Sequence, residues 1–184
     1  MGSMVQLMLH RLPDGTRVRI RPIRPSDKDL LAAGLRRLSP ESAQRRFLAA
    51  KRAFSRAELA YLTEVDGHDH IALVAVDAHQ PDLLIAVARC VRLGTGGDTA
   101  DIAIVVGDPW QGQGLGRELL RRLAARAAAH GISSFSAIVL ADNLPARRLL
   151  HTVATGVQER GLPDGLRAVS GDLAARRGAA ARVS

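Results

Sequence analysis

Cysteine is almost missing from this sequence: Cys90 stands alone, which excludes an internal disulfide framework and any zinc site built on cysteine. Aromatic residues make up only 3%, and Trp110 and Tyr61 are each the sole residue of their kind, too few for a base-stacking platform. Lysine is confined to Lys28 and Lys51. No apolar run approaches the roughly 18 residues of a membrane span, and Val5–Leu9 is too short for a signal peptide. The expectation is a soluble protein of a reducing compartment, the cytoplasm, without membrane or nucleic-acid partners.

What is present suits one domain. The 184 residues are 47% hydrophobic and 24% charged, globular usage with enough chain for a core. Lys and Arg number 26 against 18 acids, a net charge of +8. A GC-rich coding sequence accounts for an arginine-rich, alanine-rich chain without further meaning; the sharper reading is a surface or cleft for anions. Met1-Gly2-Ser3-Met4 reads as a leftover of cloning, and residues 1–15 as an extension carrying the first strand of a hairpin. The domain proper is expected over 16–173, with a disordered tail over 174–184.

Met4–Arg11 and Thr16–Ile23 alternate around the turn Pro13-Asp14-Gly15, a β-hairpin pattern. Ser26 is expected to cap a helix carrying Leu30, Leu31, Leu35 and Leu38. Ser39-Pro40 and Ser55-Arg56-Ala57-Glu58 open two more. Ile71–Val76, Leu83–Leu93 and Asp101–Val106 then read as strands. A long helix follows to His130, stopped by Gly131. Phe135–Leu140 reads as a strand, Asn143 caps a short helix through His151, and Thr155–Arg160 and Leu166–Ser170 form a closing hairpin. The order predicts an α/β (α+β) domain: one mixed, mostly antiparallel sheet with helices on both faces. Within it, Asp101–Val106 and Phe135–Leu140 form a parallel, splayed pair across a right-handed crossover.

Between that strand and the long helix lies Gln111-Gly112-Gln113-Gly114-Leu115-Gly116. Unpaired amides at a helix start, on a backbone glycines leave uncovered, suit a phosphate or pyrophosphate. The nucleotide P-loop needs a lysine that is not here, and the dinucleotide fingerprint fails because Arg117 stands at its third glycine. A glycine-rich turn with no ligand is the plainer alternative.

Gln111-x-x-Gly114-x-Gly116 resembles the Arg/Gln-x-x-Gly-x-Gly/Ala signature of GCN5-related N-acetyltransferases (GNAT). Element order agrees over roughly Thr16–Leu173, as does Asn143-x-x-Ala146. Residues 21–27, 38–42, Arg46-Phe47 and 71–77 resemble the bacterial Pat-type protein lysine acetyltransferases. Other proteins of that branch carry a regulatory or synthetase domain, and regulation by that route is not expected in a chain of this length.

The resemblance implies direct attack of an amine on the thioester of acetyl-CoA, the co-substrate. Amides of Gln111, Gly112, Gln113, Gly114, Leu115, Gly116 and Arg117 would bind its pyrophosphate. Ile104, Val105 and Val106 would meet the pantetheine arm, with an amide near Val105 or Val106 polarising the thioester carbonyl. Asn143 would meet the pantetheine, or serve only as a helix cap. Asp101 stands where relatives place a glutamate base; one methylene shorter, it favours a water relay over direct contact, or is simply a solvated strand-end carboxylate. Relatives place a tyrosine acid where this chain has Leu150.

Asp66-Gly67-His68-Asp69-His70 packs acids and imidazoles but lacks a distant third ligand, so no metal is expected. Cys90, His130 and His151 are expected to do no chemistry. Arg17, Arg19, Arg21 and Arg24 either guide an acidic substrate or form a solvated face. The readings are an N-acetyltransferase acting on a protein lysine, one acting on a small amine or antibiotic, and a non-catalytic acyl-CoA sensor, in a monomer or homodimer.

Overall fold

The computed structural model describes residues 8–173. Residues 1–4, most of the Val5–Leu9 run and the tail from Ala174 lie outside the described residues.

Eight strands form one sheet in the order β1-β2-β3-β4-β5-β6-β8-β7. The opening hairpin pairs β1 (Met8–Arg11) with β2 (Arg17–Pro22), and its turn is closed by the Asp14 carboxylate accepting from the Thr16 amide at 2.8 Å. Three helices follow: α1 (Lys28–Arg37), α2 (Pro40–Phe47) and α3 (Arg56–Thr63). Ser39 caps α2 by accepting from the Ser42 amide, and Ser55 with Glu58 makes the expected capping box on α3.

The entry to α1 differs from expectation. Asp27, not Ser26, organises it: the buried Asp27 carboxylate accepts from the Arg24 amide at 2.8 Å and is gripped by Arg21 at 2.6 and 2.8 Å. Burial alone would lift the Asp27 pKa, but these bonds hold it below the usual carboxylate value. Arg21 is thereby removed from any solvated arginine face.

β3 (His70–Asp77) and β4 (Leu84–Arg92) are the central strands, and six consecutive residues of each are buried. Continuous burial means that both faces are covered. On one face α4 (Leu115–Ala129) presents Leu115, Leu119, Leu120, Leu123 and Ala127 to Ile71, Leu73, Ile85 and Ala88. On the other, α1 and α3 pack over Ala72, Val74 and Val87. Burying one such leucine contributes about 1.5–3 kcal/mol.

β5 (Thr99–Val106) lies antiparallel to β4, while β6 (Ser134–Leu140) lies parallel to β5. That pairing lasts for three positions, Thr99–Ser134, Ala100–Phe135 and Asp101–Ser136, after which the strands part. α5 (Leu144–Val153), β7 (Ala154–Gly161) and β8 (Leu166–Leu173) complete the chain. β8 lies between β6 and β7, antiparallel to both. No helix among the described residues is long and apolar enough to cross a membrane.

Candidate active site

A cleft of about 310 Å3 lies beyond the point where β5 and β6 part, walled by Ile104–Val106 of β5, the glycine loop, α2 and the start of α5. Ladder alternation settles which backbone groups face it. The Gly107 amide donates to the Ile85 carbonyl on β4 at 2.8 Å, so the amides of Val105 and Ala103 also turn to β4. Those of Ile104 and Val106 point into the gap. Of the two amides expected near the thioester, the Val106 amide therefore faces the cleft and the Val105 amide does not. The Val105 side chain packs on the α1–α3 face, while Ile104 and Val106 lie under the first turn of α4.

The glycine loop closes the far end. The first bond of α4 runs from the Glu118 amide to the Gly114 carbonyl at 3.2 Å, so the amides of Leu115, Gly116 and Arg117 have no partner within the helix. They lie at its positive end. The three glycines serve different purposes. Gly112 (φ 73°) and Gly114 (φ 81°) adopt the left-handed backbone that side chains disfavour, with open space above each. Gly116 is helical, and a methyl group there would meet Leu149 of α5 at 3.0 Å. The third glycine is thus required by helix packing rather than by approach of an anion.

The loop is also tied to α2. The Gln111 side-chain amide donates to the Val106 carbonyl at 3.0 Å and to the Ser42 hydroxyl at 3.1 Å. Ser42 and Ser39 hydroxyls each donate to the Asp108 carboxylate at 2.7 Å. These bonds bring Ser42, Arg45 and Arg46 to the cleft wall. Sequence reading missed Arg45 and treated Ser42 and Arg46 only as parts of motifs; their i, i+3, i+4 spacing on α2 was the available signal.

Ile104, Val105, Val106, Gln111, Gly112, Gly114, Leu115, Gly116, Arg117 and Asn143 all line this cleft. Gln113 does not: its side chain turns outward to Asp14 at 2.9 Å and the Pro109 carbonyl at 3.3 Å. Asn143 is buried, and its side-chain oxygen accepts from the Ala146 amide at 3.2 Å, an N-cap of α5 set in the cleft wall.

Asp101 occupies the last paired position before the strands part. Its side chain keeps contact with water, yet the surrounding chain removes enough solvent to lift its carboxyl above the ordinary value; the Arg46 guanidinium opposes that shift. Leu150, where relatives carry tyrosine, is 4% exposed and belongs to the core beneath α5. It offers no proton.

The remaining candidates fall outside the cleft. Asp66, His68 and Asp69 cluster on an exposed loop, where Asp66 already accepts from the amides of His68, Asp69 and His70 at 2.9 Å each. Cys90 is fully buried, and burial raises its thiol to about 11, which leaves it inert at neutral pH. His151 bonds to Glu159 at 3.1 Å.

The sequence profile of the Acetyltransferase (GNAT) family matches residues 35–153, which include the parting strands and the glycine-rich helix start. The chain belongs to the GNAT acetyltransferase family, whose acetyl donor is acetyl-CoA. Within it, the chain is 37% identical over 131 residues (71% of its length) to Acetyltransferase Pat of Mycolicibacterium smegmatis, of which it spans 39%. It is 30% identical over 142 residues to Acetyltransferase PA5475 of Pseudomonas aeruginosa, covering 75% of this chain and 74% of that one. The crystal structure of the GNAT domain of S. lividans PAT superposes with a TM-score of 0.80 at 31% identity, over 90% of this chain and 96% of that domain.

Proposed function

We propose that this acetyltransferase moves the acetyl group of acetyl-CoA directly onto the ε-amine of a protein lysine. The observation that carries the reading is the parting of β5 and β6 immediately beyond Asp101, with a cleft that runs from Ile104–Val106 to the free amides of α4; Asp101 itself lies outside the cleft lining. The loop amides from Gly112 to Arg117 take the pyrophosphate, with Gln113 contributing backbone only; the Gln111 amide, expected among them, already donates to the Asp108 carbonyl at 3.3 Å. The Ile104 and Val106 amides and the Ile104 carbonyl face the pantetheine arm, the Val106 carbonyl being held by the Gln111 side chain, and the Val106 amide polarises the thioester carbonyl.

A lysine amine has an ordinary pKa of about 10.4 and arrives protonated. Asp101 accepts the proton, through a water that makes up for its short side chain. The free amine then attacks the carbonyl carbon, its nitrogen gives up its surplus proton to solvent, the carbon–sulfur bond breaks to leave the amide, and the thiolate takes a proton from solvent because Leu150 has none to give. The lysine acceptor is supported by the likeness to the two Pat proteins.

A second reading, a non-catalytic acyl-CoA sensor, is favoured by the buried Leu150. Both predict thermal stabilisation by acetyl-CoA, about 2.7 kcal/mol at a hundredfold excess over Kd. Release of free CoA separates them: lysine peptides trigger it in the enzyme, no amine triggers it in the sensor, and release with small amines alone overturns the lysine assignment.

A further inference from the structure

Against the donor cleft, on the α1–α3 side of the sheet, lies a second pocket with about 50 Å3 of open space. That is room for roughly three to four water-sized groups, the size of a short carboxylate side chain. Its walls are apolar, with Leu31, Leu35, Phe47, Phe54, Leu62 and Val87. Two cations interrupt them, Arg46 and Arg89, and Arg46 and Val105 line both spaces, so pocket and cleft share a wall.

Arg89 is 5% exposed. One guanidinium nitrogen donates to the Leu62 carbonyl at 2.7 Å, another to Nε2 of His70, and its Nε is buried with no partner. Burial and Arg46 lower its pKa to about 10, still charged at neutral pH. Arg46 lies over the Phe47 ring, 4.9 Å from its centroid. Among the described residues the anion that acts on it is Asp101, which forms no ion pair with it. Two guanidinium groups that repel each other in an apolar wall are an unfavourable arrangement without an anion.

We propose that this pocket receives a carboxylate carried beside the reacting amine, so that the preferred acceptor is a peptide lysine flanked by glutamate or aspartate, with Arg46 and Arg89 as the specificity-determining residues. The proposal rests on the protein-lysine reading. Guanidinium groups bind carboxylates with two directed bonds, and the methylene stem of an acidic residue suits leucine and phenylalanine walls. The chain's +8 charge favours the same class of acceptor.

The test uses peptides that differ only in the residue next to lysine, glutamate or glutamine, with kcat/KM read from CoA release. Wild type is expected to prefer the glutamate peptide by about 10–100-fold, the value of a charged hydrogen-bonded pair. In Arg46→Gln and in Arg89→Gln that ratio falls towards one; because it compares two acceptors on one enzyme, altered donor binding cancels. Arg46→Gln, on α2, keeps the test open should Arg89→Gln fail to fold. Equal rates for the two peptides in wild type overturn the proposal and leave lysine transfer intact. If no peptide reacts, the lysine reading fails, and titration of the CoA-loaded protein with glutarate judges the pocket by itself. A shift of the Arg89 Nε resonance, lost in Arg46→Gln, supports carboxylate binding, and its absence overturns it.

Discussion

Asp101 and Ser136 are the last residues at which β5 and β6 run side by side, and the cleft opens directly beyond them. The candidate base therefore stands at a fork in the sheet, where no further strand covers it. Asp101→Asn is expected to lower kcat/KM about 10²–10³-fold. The carboxylate works deprotonated, so activity falls as pH drops through its pKa, which burial places above the ordinary 3.8. The Asn variant should lose that acidic limb; a limb that persists assigns the base elsewhere.

Gly116 and Leu149 give a paired test of the glycine signature. Gly116→Ala pushes a methyl group against Leu149, spreading α4 from α5, and should raise the KM for acetyl-CoA about tenfold. Leu149→Ala in the same chain should restore it. The same second change should not rescue Gly114→Ala, whose cost of about 1 kcal/mol comes from the backbone angle and not from contact.

Restoring the tyrosine of relatives should fail here. Leu150 is enclosed in the core, so Leu150→Tyr overpacks it and is expected to lower stability by about 1–3 kcal/mol with no gain in kcat. Urea denaturation and turnover measured on the same sample check both parts; a faster enzyme would mean that the side chain reaches the cleft.

His70 sets an acid sensitivity in the fold. Burial first, and Arg89 second, hold its pKa down to about 4 against an ordinary 6.5. The folded state resists protonation, so stability present above pH 6.5 is lost as pH falls towards 4. After allowance for solvent screening the effect is about 1 kcal/mol. His70→Gln should flatten the stability curve across that window, read by thermal melts at pH 7, 5.5 and 4.

Much of this was readable in the chain because local rules and tertiary structure agree. Ser39 and Ser55 cap the helices they precede, and the glycine loop lies between the strand and the helix that its motif requires. The misjudgements came where a distant partner decides. Asp27 displaces Ser26 as organiser of α1 because Arg21, on a neighbouring strand, reaches it. Gly116 owes its place to Leu149, thirty-three positions away in sequence. Arg46 and Arg89 become notable only once α2 folds over β5 and β6 and brings Arg46 to the pocket that Arg89 lines from β4, and no periodicity announces an unpartnered guanidinium nitrogen.

The place of β8 between β6 and β7 carries a consequence for how the molecule comes together. One wall of the donor gap, β6, has its full-length neighbour not in β5 but in residues 166–173, which the ribosome delivers last among the described strands. A nascent chain that ends before them leaves Ile138 and Leu140 without a lateral partner, so the gap cannot keep its width. Competence to bind the donor should therefore appear abruptly near the end of synthesis, and trimming that closing ribbon should abolish it even though every loop and glycine of the cleft remains.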